Sequence, residues 1–316
     1  MRTVCQCISP HLVADVDVIV RPLSVPLSSR KQISYGNHFY DNGNMMLSKE
    51  EADQILQEYP QTASFVRRLV DARSMLYGRN ESFCLFLAEC NDGILCVPPI
   101  AERLKRRNAF LNATNAGCAK VFLKRLRDNP QCQMFHVCPK AERYIAVPTT
   151  TADYRKYIPM DFVNGSIVVK EGLYAVIDGD EADFAVLSSR MHMVWVKAVA
   201  GKMKHDLRYS PAPVYNTFPW PSLNESSVAV LTEMMSAVLE ARRQDGRCLA
   251  KLYDPLKMPD VLRKAHETLD RFIESLYSPE GFRTDADRLA CLLRMYAEAV
   301  SKKSSGVAQK TVDLFF

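Results

Sequence analysis

The spacing of apolar residues changes at Pro221, and that change limits the fold more than any single motif does. Beyond it, Ser222-Leu-Asn-Glu225 reads as a capping box, in which a hydroxyl and a carboxylate satisfy the first free amides of a helix. Val228, Leu231, Met235, Val238 and Leu239 then follow at helical spacing. Pro259 suits the first turn of a second helix carrying Leu262, Ala265, Leu269, Phe272 and Leu276. Thr284 can cap a third, with Leu289, Leu292, Leu293 and Tyr296 on one face. Short connections between amphipathic helices predict a small helical subdomain over 221–300.

Ahead of Pro221 the apolar runs are short and broken by Pro and Gly. Val16 to Val20 reads as a strand and Ser24 to Arg30 as a Pro-flanked loop. Ser48-Lys-Glu-Glu51 is a capping box that predicts a helix from Lys49 to Tyr59. Ser82 to Ala88 is an apolar run of strand length. Ala101 to Phe110 reads as a helix with Leu104 and Phe110 inward and its four basic residues mostly outward. Tyr144–Val147, Arg155–Ile158, Ser166–Val169 and Leu173–Ile177 read as strands. Glu181 to Lys202 reads as one helix striped by Phe184, Leu187, Met191, Trp195 and Val199. The predicted fold class is therefore α+β: a mixed α/β domain over 23–220, then the helical subdomain, then a polar tail over 301–316.

Several function classes are disfavoured by what the sequence lacks. The vicinal prolines are in Val97-Pro98-Pro99-Ile100. An adenine methyltransferase needs Asn or Asp before that pair, to hold the exocyclic amine of a flipped base, and an aromatic residue after it. There is no G-x-G-x-x-G, no G-x-x-x-x-G-K-[ST] and no G-x-S-x-G, so no catalytic residue is assigned and no cofactor is predicted to bind this chain. His192 sits on the Met191–Trp195 helix and reads as structural. Ten cysteines occur without a C-x-x-C pair, which favours reduced thiols over a disulfide scaffold. Cys84, Cys90 and Cys96 recur every six residues, and Cys132 and Cys138 flank His136. Zinc knuckles are tighter than this, so buried thiols are the favoured reading and no metal site is predicted. Asp15 and Asp17 interrupt any signal-peptide core, and no window holds 18 unbroken apolar residues. A cytoplasmic protein without a membrane partner is the expectation.

Charge is segregated, although the net value is only +5. Residues 101–130 hold eight basic side chains against Glu102 and Asp128, whereas 161–190 is net −4 and 221–300 net −2. The basic stretch fits either a solvated helix face or a surface for a polyanion.

Particular segments resemble one family, the single-chain type IIL, MmeI-like restriction–modification enzymes. The matching stretches are Pro26-Leu-Ser-Ser-Arg30 with Gly43-Asn-Met-Met-Leu47, Phe65-Val-Arg-Arg-Leu69 before Ala72-Arg73, and Arg155-Lys-Tyr-Ile-Pro159. Leu187-Ser-Ser-Arg-Met-His-Met-Val-Trp195, Arg208-Tyr-Ser210, Tyr215-Asn-Thr-Phe-Pro-Trp-Pro221 and Tyr253-Asp-Pro-Leu256 follow in the same order. In that family a nuclease and an AdoMet-dependent adenine-N6 methyltransferase precede a target recognition domain and a helical C-terminal region. The resemblance thus implies a DNA recognition module without the two catalytic parts. Residues 1–22 are then a junction with a methyltransferase, AdoMet belongs to a missing or separate methyltransferase domain, and the partners are double-stranded DNA and that domain or subunit.

The resemblance also implies readout positions. Acid and arginine side chains two residues apart, just upstream of the Tyr-Ile-Pro segment, set base choice in the family, and Asp153 and Arg155 stand there. Thr151, Asp153, Arg155 and Tyr157 alternate at period two and would share one strand face. Arg30, Arg73, Lys120, Lys124, Arg125, Arg127, Lys156, Lys204 and Arg208 are the expected phosphate contacts, and Trp220 and Phe218 a packed turn. The ending Thr311-Val-Asp-Leu-Phe-Phe316, after the polar Ser301–Gly306 tether, resembles peptides that dock in the bacterial sliding clamp. Folding back onto the helical subdomain is the other reading of that ending. A non-catalytic interaction subunit, docking a protein through its helical back, is the alternative function.

Overall fold

The computed structural model describes residues 16–28, 30–78, 81–88, 90–114, 120–128, 134–136 and 138–312. In chain order come β1 (Ile33–Tyr35), β2 (His38–Phe39), β3 (Met46–Leu47), α1 (Lys49–Glu58), β4 (Val66–Val70) and α2 (Ala72–Tyr77). Next are β5 (Ser82–Leu85), α3 (Asp92–Leu95), α4 (Pro98–Ala113), α5 (Lys120–Asp128), β6 (Met134–His136), β7 (Arg143–Pro148) and β8 (Thr150–Ala152). Then follow β9 (Asp161–Asn164), β10 (Val168–Val169), β11 (Leu173–Ile177), α6 (Glu181–Leu187), α7 (Arg190–Val199), β12 (Gly201–Met203) and β13 (Asp206–Arg208). The chain closes with α8 (Glu225–Asp245), α9 (Leu249–Leu252), α10 (Asp260–Tyr277) and α11 (Asp285–Val312). The mixed front and helical back match the expected α+β class. The chain forms two compact units that alternate along the sequence.

One unit comprises 34–147 and 161–178. Its sheet β10-β4-β5-β3 is covered by α1 and α4, and Met45, Leu47, Ala52, Ile55, Leu69, Leu85 and Ile100 fill the interface. The Ser48 hydroxyl accepts from the Glu51 amide while the Glu51 carboxylate accepts from the Ser48 amide, so α1 begins where its capping box places it. A second sheet, β1-β11-β7-β9, buries Tyr144, Ala146, Val163, Leu173 and Ala175 on one side. Helices α4 and α5 meet through Leu111, Leu123 and Leu126.

The other unit holds residues through 33, 148–160 and 179 onward. Its helices form the body, with α8 packed on α6 and α10, and α11 on α7. The aromatic turn is core: Phe218 is fully buried, Trp220 nearly so, and their rings meet edge to face at 5.7 Å. Trp195 Nε1 donates to Thr217 Oγ1 at 3.2 Å, and the Tyr215 hydroxyl donates to the Lys31 carbonyl at 2.7 Å. His192 is wholly buried against Phe218, and burial pushes its pKa down to about 3, so it is a neutral structural ring.

Several local readings need correction. Residues 16–20 form no strand, and the segment beyond them lies along 212–216 through isolated hydrogen bonds such as Leu23 N to Ala212 O at 2.9 Å. The predicted helix over Glu181–Lys202 is two, since Ser189 caps α7 by accepting from the His192 amide, and Lys202 lies in β12. The N-cap of α8 is Asn224, reciprocated by Ser227, and not Ser222. Cys84, Cys90 and Cys138 are buried, whereas Cys96 is exposed and Cys132 lies outside the described residues. Ser301–Gly306 continues α11 instead of forming a tether, because extending a formed helix is far easier than nucleating one. Residues 313–316 lie outside the described chain. Among the described residues, no helix is long and apolar enough to cross a membrane, and no group of three His, Cys, Asp or Glu is placed to hold a metal.

Candidate nucleic-acid interface

In the helical unit, β12, β13 and β8 form a three-stranded antiparallel sheet. Strand alternation sends Leu207 inward, fully buried, and leaves Asp206 and Arg208 exposed on the outer face. Met203 pairs with Asp206, so Lys204 and His205 alone make the hairpin tip. Lys204 has φ +58, a left-handed backbone that costs a non-glycine residue on the order of 1 kcal/mol. The strain holds a lysine where glycine is the ordinary turn residue. Lys202, Lys204 and Arg208 are exposed and form no ion pair among the described residues. The result is a cationic two-stranded ribbon, a shape that the major groove of duplex DNA admits.

The readout segment departs from the sequence expectation. Strand β8 ends at Ala152, and the chain turns through Asp153 and Tyr154 instead of continuing extended. Thr151 is buried, directly opposite Leu207. Tyr157 is buried too: its hydroxyl donates to Asp270 Oδ2 at 2.7 Å and its ring stacks on His266 at 4.1 Å. The shared strand face is therefore corrected, and Thr151 and Tyr157 point into the protein. Asp153 and Lys156 are exposed, and so is Tyr154 at 60%. Arg155 is only 9% exposed; one guanidinium nitrogen donates to the Ala250 carbonyl at 3.2 Å and its carbon lies 5.6 Å from the Tyr154 ring centre. It meets no carboxylate among the described residues.

Arg30, expected on phosphate, is instead structural. Its guanidinium is paired with the fully buried Asp183 carboxylate and lies 5.7 Å from the Trp220 ring centre. Burial raises the pKa of Asp183, and the Arg30 hydrogen bond opposes that rise. The Nε and one Nη of Arg30 are thus committed to the carboxylate.

The other unit carries the basic stretch of 101–128. Not all of it faces out. Arg107 is fully buried and donates to the Leu126 carbonyl at 2.8 Å, which ties α4 to α5. Arg103 pairs with Glu51 and donates to the Asn44 and Met46 carbonyls at 2.9 and 3.0 Å. Lys105, Arg106, Lys124 and Arg125 are exposed, as is Arg73 near the start of α2. Lys120 and Arg127 lie on the α5 backbone, and their side chains are outside the described ones. Tyr154 and Met203, both exposed, were missed by sequence reasoning, and only their position beside predicted contacts could have signalled them.

The MmeI target recognition domain model matches residues 14–222, and the MmeI C-terminal domain model matches 224–303. DNA methyltransferase A of Bacillus subtilis (strain 168) is 31% identical over 299 residues, covering 93% of this chain and 33% of that protein. The solved structure of the type IIL restriction-modification enzyme MmeI in complex with DNA is 30% identical, with a TM-score of 0.84. That similarity covers 94% of this chain and 39% of the solved one. The chain thus spans well under half the length of both relatives. With both models matched end to end along it, the chain belongs to the MmeI family and carries that family's target recognition and C-terminal domains.

Proposed function

We propose that the chain recognises a specific duplex-DNA sequence on behalf of an adenine-N6 DNA methyltransferase in a restriction–modification system. The observation that carries this reading is the cationic β12–β13 ribbon hydrogen-bonded to the strand that delivers Asp153 and Arg155. Phosphate contacts position a protein on DNA, and base-edge contacts specify where. Lys156, Lys202, Lys204 and Arg208 take the first role, joined in the other unit by Arg73, Lys124 and Arg125. Asp153 accepts from cytosine N4, a contact discriminating by about 1–3 kcal/mol, while the buried Arg155 braces the turn from behind through the Ala250 carbonyl. AdoMet and the methyl-transfer chemistry belong to a methyltransferase portion, in the same or a separate polypeptide, and the module works in the cytoplasm where bacterial DNA lies.

Selection from a random duplex pool tests the reading. The full chain should enrich one short motif, and enrichment of none refutes it.

A second reading, docking of a protein partner through the helical region, is favoured by Leu256, 94% exposed in the α9–α10 connection, and Val261, 63% exposed in the first turn of α10. The ending Thr311–Phe316 is proposed as a weak sliding-clamp peptide. A pull-down comparing the full chain with one ending at Gln309 tests it, and equal background recovery removes it.

A further inference from the structure

The exposed turn and the segment that follows it are bolted to the C-terminal helices at three points. Arg155 donates to the carbonyl of Ala250 in α9 at 3.2 Å. The Tyr157 hydroxyl donates to Asp270 of α10 at 2.7 Å, and Arg242 of α8 donates to the Met160 carbonyl at 2.9 Å. A relay joins these anchors. Arg242 Nε donates to the Tyr253 hydroxyl oxygen at 2.7 Å, and the same hydroxyl shares a hydrogen bond with His266 Nε2, 2.9 Å away. Burial pushes the His266 pKa well below its ordinary range, and the neutral ring supports Tyr157 from one side, tilted by 20°. The second oxygen of Asp270 accepts from the Arg190 amide at 2.8 Å, where α7 begins. Asp270 is 7% exposed and ties α10 to both the Tyr157 segment and the start of α7.

Stability alone does not call for this arrangement. A buried carboxylate is costly, and an apolar pair of the same volume would hold the elements together as well or better. A directional hydrogen bond instead fixes one position among those that packing would tolerate. On the upstream side, β8 is held by its pairing with β13, so Asp153, Tyr154 and Lys156 lie on a turn clamped at both ends. Ordering a reading turn before DNA arrives removes that cost from binding.

We propose that Tyr157 and Asp270 are positioning residues for base readout, holding the Asp153–Lys156 turn in its reading conformation and making the C-terminal helices part of the specificity apparatus. This rests on the reading of that turn as base-contacting.

The test uses the full chain as wild type, Tyr157→Phe and Asp270→Asn. Hydrogen exchange of the 153–156 amides should be about tenfold faster in Tyr157→Phe, with β12, β13 and α10 unchanged. The preference for the selected duplex over a scrambled one should fall about tenfold, with scrambled-duplex affinity held within about twofold. Asp270→Asn keeps an oxygen for the Arg190 amide and an amide group for Tyr157, so it should fall between the two. Unchanged exchange at 153–156, or acceleration spread over the whole unit, overturns the positioning role while leaving DNA recognition intact. A wild-type chain that prefers no duplex overturns the DNA reading, and the readout role with it.

Discussion

Replacing Lys202, Lys204 and Arg208 together by Ala puts the ribbon to a quantitative test. All three are exposed, lie on or between β12 and β13, and have no ion-pair partner among the described residues. Each cation that neutralises a phosphate releases counterions, which steepens the fall of log K with log salt by about 0.9. Three lost contacts should therefore flatten the slope by about 2.7. Between 50 and 200 mM salt the wild type would lose roughly 40-fold more affinity than the variant. The fold should be indifferent, since surface substitutions without partners change stability by about 0.5 kcal/mol or less. Fluorescence anisotropy of a labelled duplex over a salt series measures the slope, with thermal melting as the control. An unchanged slope, with melting also unchanged, would refute the assignment and return the hairpin to a solvated edge.

Asp153→Asn should shift the preferred base at one position while leaving scrambled-duplex affinity alone, because the carboxylate accepts where an amide also donates; duplex selection checks it, and an identical motif would count against Asp153. Lys124→Ala with Arg125→Ala should weaken all duplexes alike and lower the slope by about 1.8, read by the same titration. Stability should respond to acid through the buried histidines. His192 is held neutral down to about 3 and His266 well below its ordinary range, so protons bind the unfolded chain first and stability falls as pH drops below about 6.5, by about 1.4 kcal/mol per pH unit for each ring. Burial holds the Asp270 pKa at about 6 and also raises that of Asp183, so both groups gain stability as pH falls and offset part of the histidine loss there. Urea melts from pH 7 to 4 measure the balance, and a stability that rises steadily as pH falls would mean these rings are not buried neutral in solution.

What was legible in the sequence was local. The Ser48 capping box, the Thr284 cap and the apolar stripes of α8, α10 and α11 all concern residues within a turn or two of each other, and each produces the helix expected. The break at Ser188–Ser189 was hidden because the stripe stays in phase across it: Leu187 and Met191 are both buried although they lie on different helices. Fates of basic residues were the least legible. Arg106 and Arg107 are neighbours on one helix, yet one is exposed and the other is buried against a carbonyl 19 residues away. Composition gives both the same charge and cannot separate a phosphate contact from an internal clamp.

The reading turn shows the same limit in a sharper form. Period two from Thr151 to Tyr157 is what a strand would show, and Thr151 and Tyr157 do share a fate, but it is burial. Their positions are fixed by Leu207, His266 and Asp270, which lie 56 to 113 residues downstream, and no window of sequence contains both ends of such a contact. The alternation that suggested four side chains offered to DNA instead records a chain that leaves the sheet, exposes Asp153, Tyr154 and Lys156 at a turn, and re-enters the core at Tyr157. A recognition element needs both parts, because an exposed side chain discriminates between bases only to the extent that something buried prevents it from moving.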